Sequence, residues 1–217
     1  MSNRIIFIIG GARSGKSSFA LKEASKISGK KAYIATAEAL DGEMKIRIEK
    51  HRKDRGSKWD TYEEPLKITD ILSDIKTKYD VVVIDCLTLW LSNLVSRTQK
   101  SEIRNQTTKA RTQNTDNPPL PPFAKGGMGG FEHRTQIIEN YVREFIEELN
   151  SLNRLNSLNS LNLFIISNEV GMGIVPDNEM AREFRDMTGV LNQKIAETAD
   201  EVYIVTAGIP IKIKSSI

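Results

Sequence analysis

Five consecutive apolar residues at 5–9 run straight into Gly10-Gly11-Ala12-Arg13-Ser14-Gly15-Lys16-Ser17, which fits the phosphate-binding loop pattern G-x-x-x-x-G-K-[ST] at every fixed position. That pattern constrains the chain more than anything else in it, because it demands a buried strand before the loop and a helix after it. Both are legible. Residues 5–9 read as a strand, and Phe19, Ala20, Leu21, Ala24 and Ile27 recur at helical spacing over 17–27, with Gly29 where a helix stop belongs. The glycines let backbone N–H groups wrap phosphates and the helix N-terminus adds its dipole. Lys16 reaches the β- and γ-phosphates, and the Ser17 hydroxyl ligates Mg²⁺.

Short apolar runs and amphipathic helices alternate along the remaining chain. Strands are predicted at 32–35, 59–62, 81–84 and 163–167, and helices at 42–53, 65–76, 87–95, 136–149 and 179–199. Residues 202–205 and 211–213 read as a terminal hairpin around Gly208-Ile209-Pro210. The order implies an α/β fold, a mostly parallel central sheet flanked by helices on both faces with a C-terminal hairpin. Ligands then bind at the carboxyl ends of the strands. A phosphate loop also wants a carboxylate on the metal side, and Val81-Val82-Val83-Ile84-Asp85 supplies one at a strand end. Asp85 is equally placed to cap the helix that follows.

Residues 1–217 read as a single domain interrupted by one unusual tract. Residues 96–135 hold four of the seven prolines, a Gly126-Gly127-Met128-Gly129-Gly130 run, and seven Lys/Arg against three acids. Low apolar periodicity marks this tract as a disordered insertion. It carries +4 of a net charge of +3, so the rest of the chain stands near −1 and offers no electrostatic footprint for nucleic acid. Residues 150–162 repeat Ser-Leu-Asn units, as a helix extension or a linker. No apolar run approaches the roughly 20 residues of a membrane span, and the first residues are too short in apolar run for an export signal. With Cys86 the only cysteine, a reducing cytoplasm is expected.

The loop alone leaves kinase, nucleotidyltransferase, switch and motor open. Two histidines are present. His133 falls in the basic tract as a solvated spectator. His51 sits among Arg47, Lys50, Arg52 and Lys53, where neighbouring cations favour the neutral imidazole and attract a triphosphate; a nucleophile and a plain surface histidine both fit.

Several strings together resemble one family. They are the loop at 10–17, Tyr33-Ile-Ala-Thr-Ala37, Asp41-Gly-Glu-Met44 with Arg47-Ile48 and His51-Arg52, Asn168-Glu-Val-Gly-Met-Gly-Ile-Val-Pro176, Phe184-Arg-Asp186 and Ala199-Asp-Glu-Val-Tyr203. In this order they are similar to the bifunctional adenosylcobinamide kinases/adenosylcobinamide-phosphate guanylyltransferases of cobalamin biosynthesis. The resemblance covers nearly the whole chain apart from about residues 96–135 and 150–160. It implies a RecA-like P-loop NTPase fold, a homotrimer and two reactions. In one, adenosylcobinamide is phosphorylated with ATP or GTP. In the other, GMP passes from GTP to adenosylcobinamide phosphate, giving adenosyl-GDP-cobinamide and pyrophosphate.

The same resemblance makes His51 the catalytic residue that carries the guanylyl group. It implies nucleotide contacts from Gly11, Ala12, Arg13, Ser14, Gly15, Lys16, Ser17 and Ser18, from Thr36, Ala37 and Glu38, from Lys53, Asp54, Arg55 and Gly56, and from Glu63 and Asp85, with Ser17 and Asp85 on the metal. The glycine-bearing loop at 168–176 lies on the ligand side, either as a tight turn or as a device that positions substrate, with Glu169 the residue to test. Arg182 and Arg185 fit a phosphate contact or a solvated charged face, and Trp59 and Trp90 read as core or subunit interface rather than a corrin platform. The alternative to this reading is a P-loop kinase of another small alcohol that lacks the guanylyl step.

Overall fold

The computed structural model describes residues 3–39, 42–112, 128–154 and 160–215. Seven strands, β1 (Arg4–Gly10), β2 (Lys31–Ala35), β3 (Asp60–Glu63), β4 (Val81–Asp85), β5 (Asn162–Asn168), β6 (Glu201–Thr206) and β7 (Ile209–Lys214), form one sheet in the order β3-β2-β4-β5-β1-β6-β7. All neighbours pair in parallel except β6 and β7, which form an antiparallel hairpin. The central strands are continuous apolar runs because helices cover both faces. Period two then divides each strand between two cores.

On one face Ile5, Phe7, Ile34, Val82, Ile84, Leu163 and Ile165 pack beneath α3 (Ile68–Ile75), α4 (Leu87–Thr112), α5 (Met128–Arg154) and α6 (Glu179–Thr198). On the other Ile6, Ile8, Val81, Val83, Phe164 and Ile166 meet α1 (Lys16–Ser25) through Ala20 and Ala24, whose small side chains let the helix lie close. Coverage is therefore lopsided: four helices against one at the centre. On the thinner side α2 (Gly42–Arg55) stands off from the sheet, and a cleft opens between them.

Trp90 is fully buried, 5.5 Å from the Phe145 ring, and its indole N–H donates to Leu66 O at 2.7 Å. Trp59 is buried edge-on against Tyr33. Both lie in the core of this chain.

Several expectations shift, among them the strand at 59–62, which runs Asp60–Glu63, and the helix at 65–76, which runs Ile68–Ile75. The strand at 32–35 begins one residue earlier, at Lys31. The hairpin turn is the pair Ala207-Gly208, both in the left-handed region at φ 51° and 80°, as a two-residue type I′ loop requires. Ile209 and Pro210 belong to β7, an edge strand where proline is tolerated. Residues 96–135 are not irregular throughout, since α4 continues to Thr112 and α5 begins at Met128. Residues 113–127 of that tract, with Pro118, Pro119, Pro121 and Pro122, lie outside the described residues, as do 155–159 of the Ser-Leu-Asn stretch and Asp41.

Candidate functional site

The first strand delivers the loop to the carboxyl edge of the sheet. Gly10 has φ +155°, and a Cβ there would sit 2.3 Å from Val205 O, so only glycine lets β1 turn this close to β6. The hairpin braces the loop from the other side, where Gly208 N–H donates to Ser14 O at 2.9 Å. Lys16 is buried, and its ammonium donates to Gly11 O at 2.7 Å. A phosphate brought into the loop competes for that donor. Ser14 Oγ is buried with no hydrogen-bond partner among the described residues; a ligand oxygen at the loop would satisfy it.

The loop faces a cleft of about 840 Å³, lined by residues 12–18, by Tyr33, Ala35 and Ala37 of β2 and its exit, by Glu63 and Asp85 at two further strand ends, and by Asn168. Asp85 lies across β5 from the loop, about 10 Å away at two strand spacings, since Asp85 pairs with Ile166 and Gly10 with Asn168. Tyr33 OH donates to Asp85 Oδ2 at 2.6 Å and orients the carboxylate. Ser17 and Asp85 thus bring an alcohol and a carboxylate to one cleft. Such hard oxygen donors suit Mg²⁺.

The opposite wall is α2, whose Met44, Lys45, Ile48, Glu49 and Arg52 line the cleft. Arg52 Nε donates to Glu63 Oε1 at 2.9 Å, which ties the helix to β3. His51 stands in the same helix, seven residues on from cleft-lining Met44 and so only about 20° round the axis from it. The side chains of His51, Asp54 and Arg55 lie outside the described part of the structure.

Other residues marked by sequence are placed elsewhere. Thr36 is fully buried, and its hydroxyl donates to Cys86 O and accepts from Cys86 N–H, each at 2.8 Å. Glu38 pairs with Arg97 at 2.7 Å. Lys53 and Gly56 are exposed and away from the cleft lining, and Gly11 contributes its carbonyl to Lys16. Arg182 donates to Pro176 O at 2.9 Å and Asp177 O at 2.6 Å, while Arg185 lies 3.7 Å from Asp186. Glu169 Oε1 accepts from Gly171 N–H at 2.6 Å and folds onto its own loop.

Asn168, the first residue of the loop read as lying on the ligand side, lines the cleft, whereas Tyr33 and the cleft face of α2 were missed. Period two puts Tyr33 on the same side as Asp85, but that signal needs the β2-β4 register to be useful. Cys86 also borders the cleft, and burial, with help from the Asp85 charge, pushes its thiol up to about 12. It is a neutral packing group, not a nucleophile.

A family model described as cobinamide kinase / cobinamide phosphate guanyltransferase matches residues 6–213. The bifunctional adenosylcobalamin biosynthesis protein CobU of Salmonella typhimurium is 32% identical over 97% of this chain and 99% of its own. The bifunctional adenosylcobalamin biosynthesis protein CobP of Pseudomonas aeruginosa is 33% identical over 95% of each chain. Among solved structures, a RadB recombinase aligns over 93% of this chain and 73% of its own at 12% identity, with a TM-score of 0.44.

Proposed function

We propose that this chain, which belongs to the cobinamide kinase / cobinamide phosphate guanyltransferase family, phosphorylates adenosylcobinamide with ATP or GTP and then guanylylates the product through His51. The observation that carries the reading is the family match from residue 6 to 213, with the phosphate loop and Asp85 opening on one cleft whose far wall is the helix of His51.

In the kinase step the aminopropanol hydroxyl oxygen attacks the γ-phosphorus and the nucleoside diphosphate leaves, its charge met by Lys16 and the loop N–H groups. In the second step an imidazole nitrogen of His51 attacks the α-phosphorus of GTP, the bond to pyrophosphate breaks, and a phosphoramidate forms. A phosphate oxygen of adenosylcobinamide phosphate then displaces the imidazole and takes the GMP. Ser17 and Asp85 would hold Mg²⁺, which would supply neutralisation of the negative charge that develops on the phosphates. Nucleotide contacts are assigned to residues 11–18, Ala37, Glu63 and Asp85. For Lys53, Asp54, Arg55 and Gly56 the support is family resemblance alone.

By the same reading the enzyme works in the cytoplasm as a homotrimer without a nucleic-acid partner. Among the described residues no helix is long and apolar enough to cross a membrane.

The test is incubation with Mg²⁺ and GTP labelled in its α-phosphate, followed by denaturation, for wild type beside His51→Ala. An acid-labile, alkali-stable label on wild type that is lost in the variant is the expected result. A folded wild-type protein that binds GTP but takes no label ends the transferase assignment. That outcome would match a P-loop kinase of another small alcohol, which nothing in the family match favours.

A further inference from the structure

The two most exposed of the large apolar side chains among the described residues, Ile174 and Met172, lie on one loop where the cleft ends. β5 leaves the cleft at Asn168, and the loop that follows presents Met172, 81% exposed, Ile174, 96%, and Val175, 57%, with Met180 on the first turn of α6. Exposed apolar groups gathered this way mark binding surfaces. We propose that this loop is the seat of the corrin body of the cobinamide substrate, an inference that rests on the function proposed above.

Position, rigidity and size support it. Glu169 N–H donates to Gly10 O at 2.9 Å, so the loop starts beside the phosphate loop. Its exposure is built in: Glu169 Oε1 holds Gly171, Arg182 holds the carbonyls of Pro176 and Asp177, and Asn178 caps α6 by accepting from Ala181 N–H at 2.7 Å. From below, Asn192 Nδ2 donates to Asn168 O at 3.1 Å. A cleft of about 840 Å³ is the size of one drug-like ligand, and on the function proposed above the nucleotide takes that space. The macrocycle must stay outside and send in only its aminopropanol arm. A corrin offers methyl-bearing apolar faces, and adaptable methionines suit such an irregular surface. The isoleucines of β7 line an open sheet edge away from the phosphate loop's cleft, and Ile46 of α2 and Val190 of α6 stand singly.

Equilibrium dialysis against adenosylcobinamide, read by its visible absorbance, tests the assignment on three proteins: wild type, Met172→Ser/Ile174→Ser, and Ile213→Ser on β7. GTP affinity and sedimentation are measured beside it. The double variant should bind the corrinoid at least about tenfold more weakly with GTP affinity and oligomeric state unchanged, and Ile213→Ser should bind it like wild type. Wild-type corrinoid affinity in the double variant overturns the seat and leaves the enzyme assignment standing. Weakened corrinoid binding accompanied by dissociation into smaller species makes the loop an interface between copies and also overturns it. A wild-type protein that binds GTP but no corrinoid removes the functional reading and the seat with it.

Discussion

A single hydroxyl joins two strand ends under the cleft floor. Thr36 Oγ1 makes both of its bonds to the backbone of Cys86, and Asn93 Nδ2 donates to Thr36 O at 2.8 Å, so this point is fully committed to structure. Thr36→Val keeps the shape but removes the partner of a buried N–H, at a cost of about 1–3 kcal/mol. For a chain of this size, the melting temperature should fall by about 3–10 °C, with little change in GTP affinity once the protein is folded. An unchanged melting temperature with lost GTP affinity would return Thr36 to the nucleotide. The sequence located Thr36 correctly, just past a strand on the ligand side. Whether its hydroxyl meets a ligand or a backbone depends on a partner 50 residues further on, and no local pattern carries that. Glu38 likewise takes a partner, Arg97, 59 residues away, which no local pattern announces.

Where β1, β6 and β7 meet, four side chains form one charged knot. Glu201 accepts from Arg4 of β1, from Tyr203 OH at 2.8 Å and pairs with Lys212 Nζ at 2.9 Å. Burial alone would raise its carboxyl, but the bonds from Lys212, Arg4 and Tyr203 outweigh that and hold it at about 2 against an ordinary 4.5. A carboxyl depressed on folding stabilises the fold above about pH 4.5, and the stabilisation drains away as pH falls toward 2. Glu201→Gln should therefore lower stability at neutral pH and lose less of it on acidification between those values; parallel slopes for both proteins, from denaturant unfolding at several pH values, would exclude this role. Elements of this kind were legible wherever periodicity was strong, as in β1, β4 and the apolar stripe of α3, Ile68, Leu72 and Ile75. The hairpin turn was misplaced because Pro210 punctuates a sequence more loudly than Ala207, whose positive φ is imposed by the hairpin. The far end of α4 was missed because polar residues there form helix without an apolar stripe to announce it, and the start of α5 because Gly129 and Gly130 read as a break.

At the scale of the whole molecule, the site is assembled from five strand ends, the first turn of α1 and the helix α2 that stands apart from the sheet. Nucleotide is the natural brace for that open side. Saturation with GTP and Mg²⁺ at about 100 times the dissociation constant should add about 2.7 kcal/mol and raise the melting temperature by about 5–10 °C. Lys16→Ala should abolish most of that shift, and an equal shift in the variant would dissociate the loop from binding. The phosphate loop, Asp85, the ligand-side loop at 168–176 and the fold class could all be read from local strings, whereas Tyr33 could not, because it meets Asp85 only through the pairing of β2 with β4. The placement of β1 between β5 and β6 also sets a schedule for the growing polypeptide. β1 is made well before both of its neighbours, β5 and β6, and before the Gly208 contact that steadies its loop, all of which lie beyond residue 160. While the ribosome is still at work, the strand that will anchor the catalytic loop waits as a bare apolar ribbon. A chaperone that recognises such ribbons would find its target here until the chain beyond residue 160 has been made.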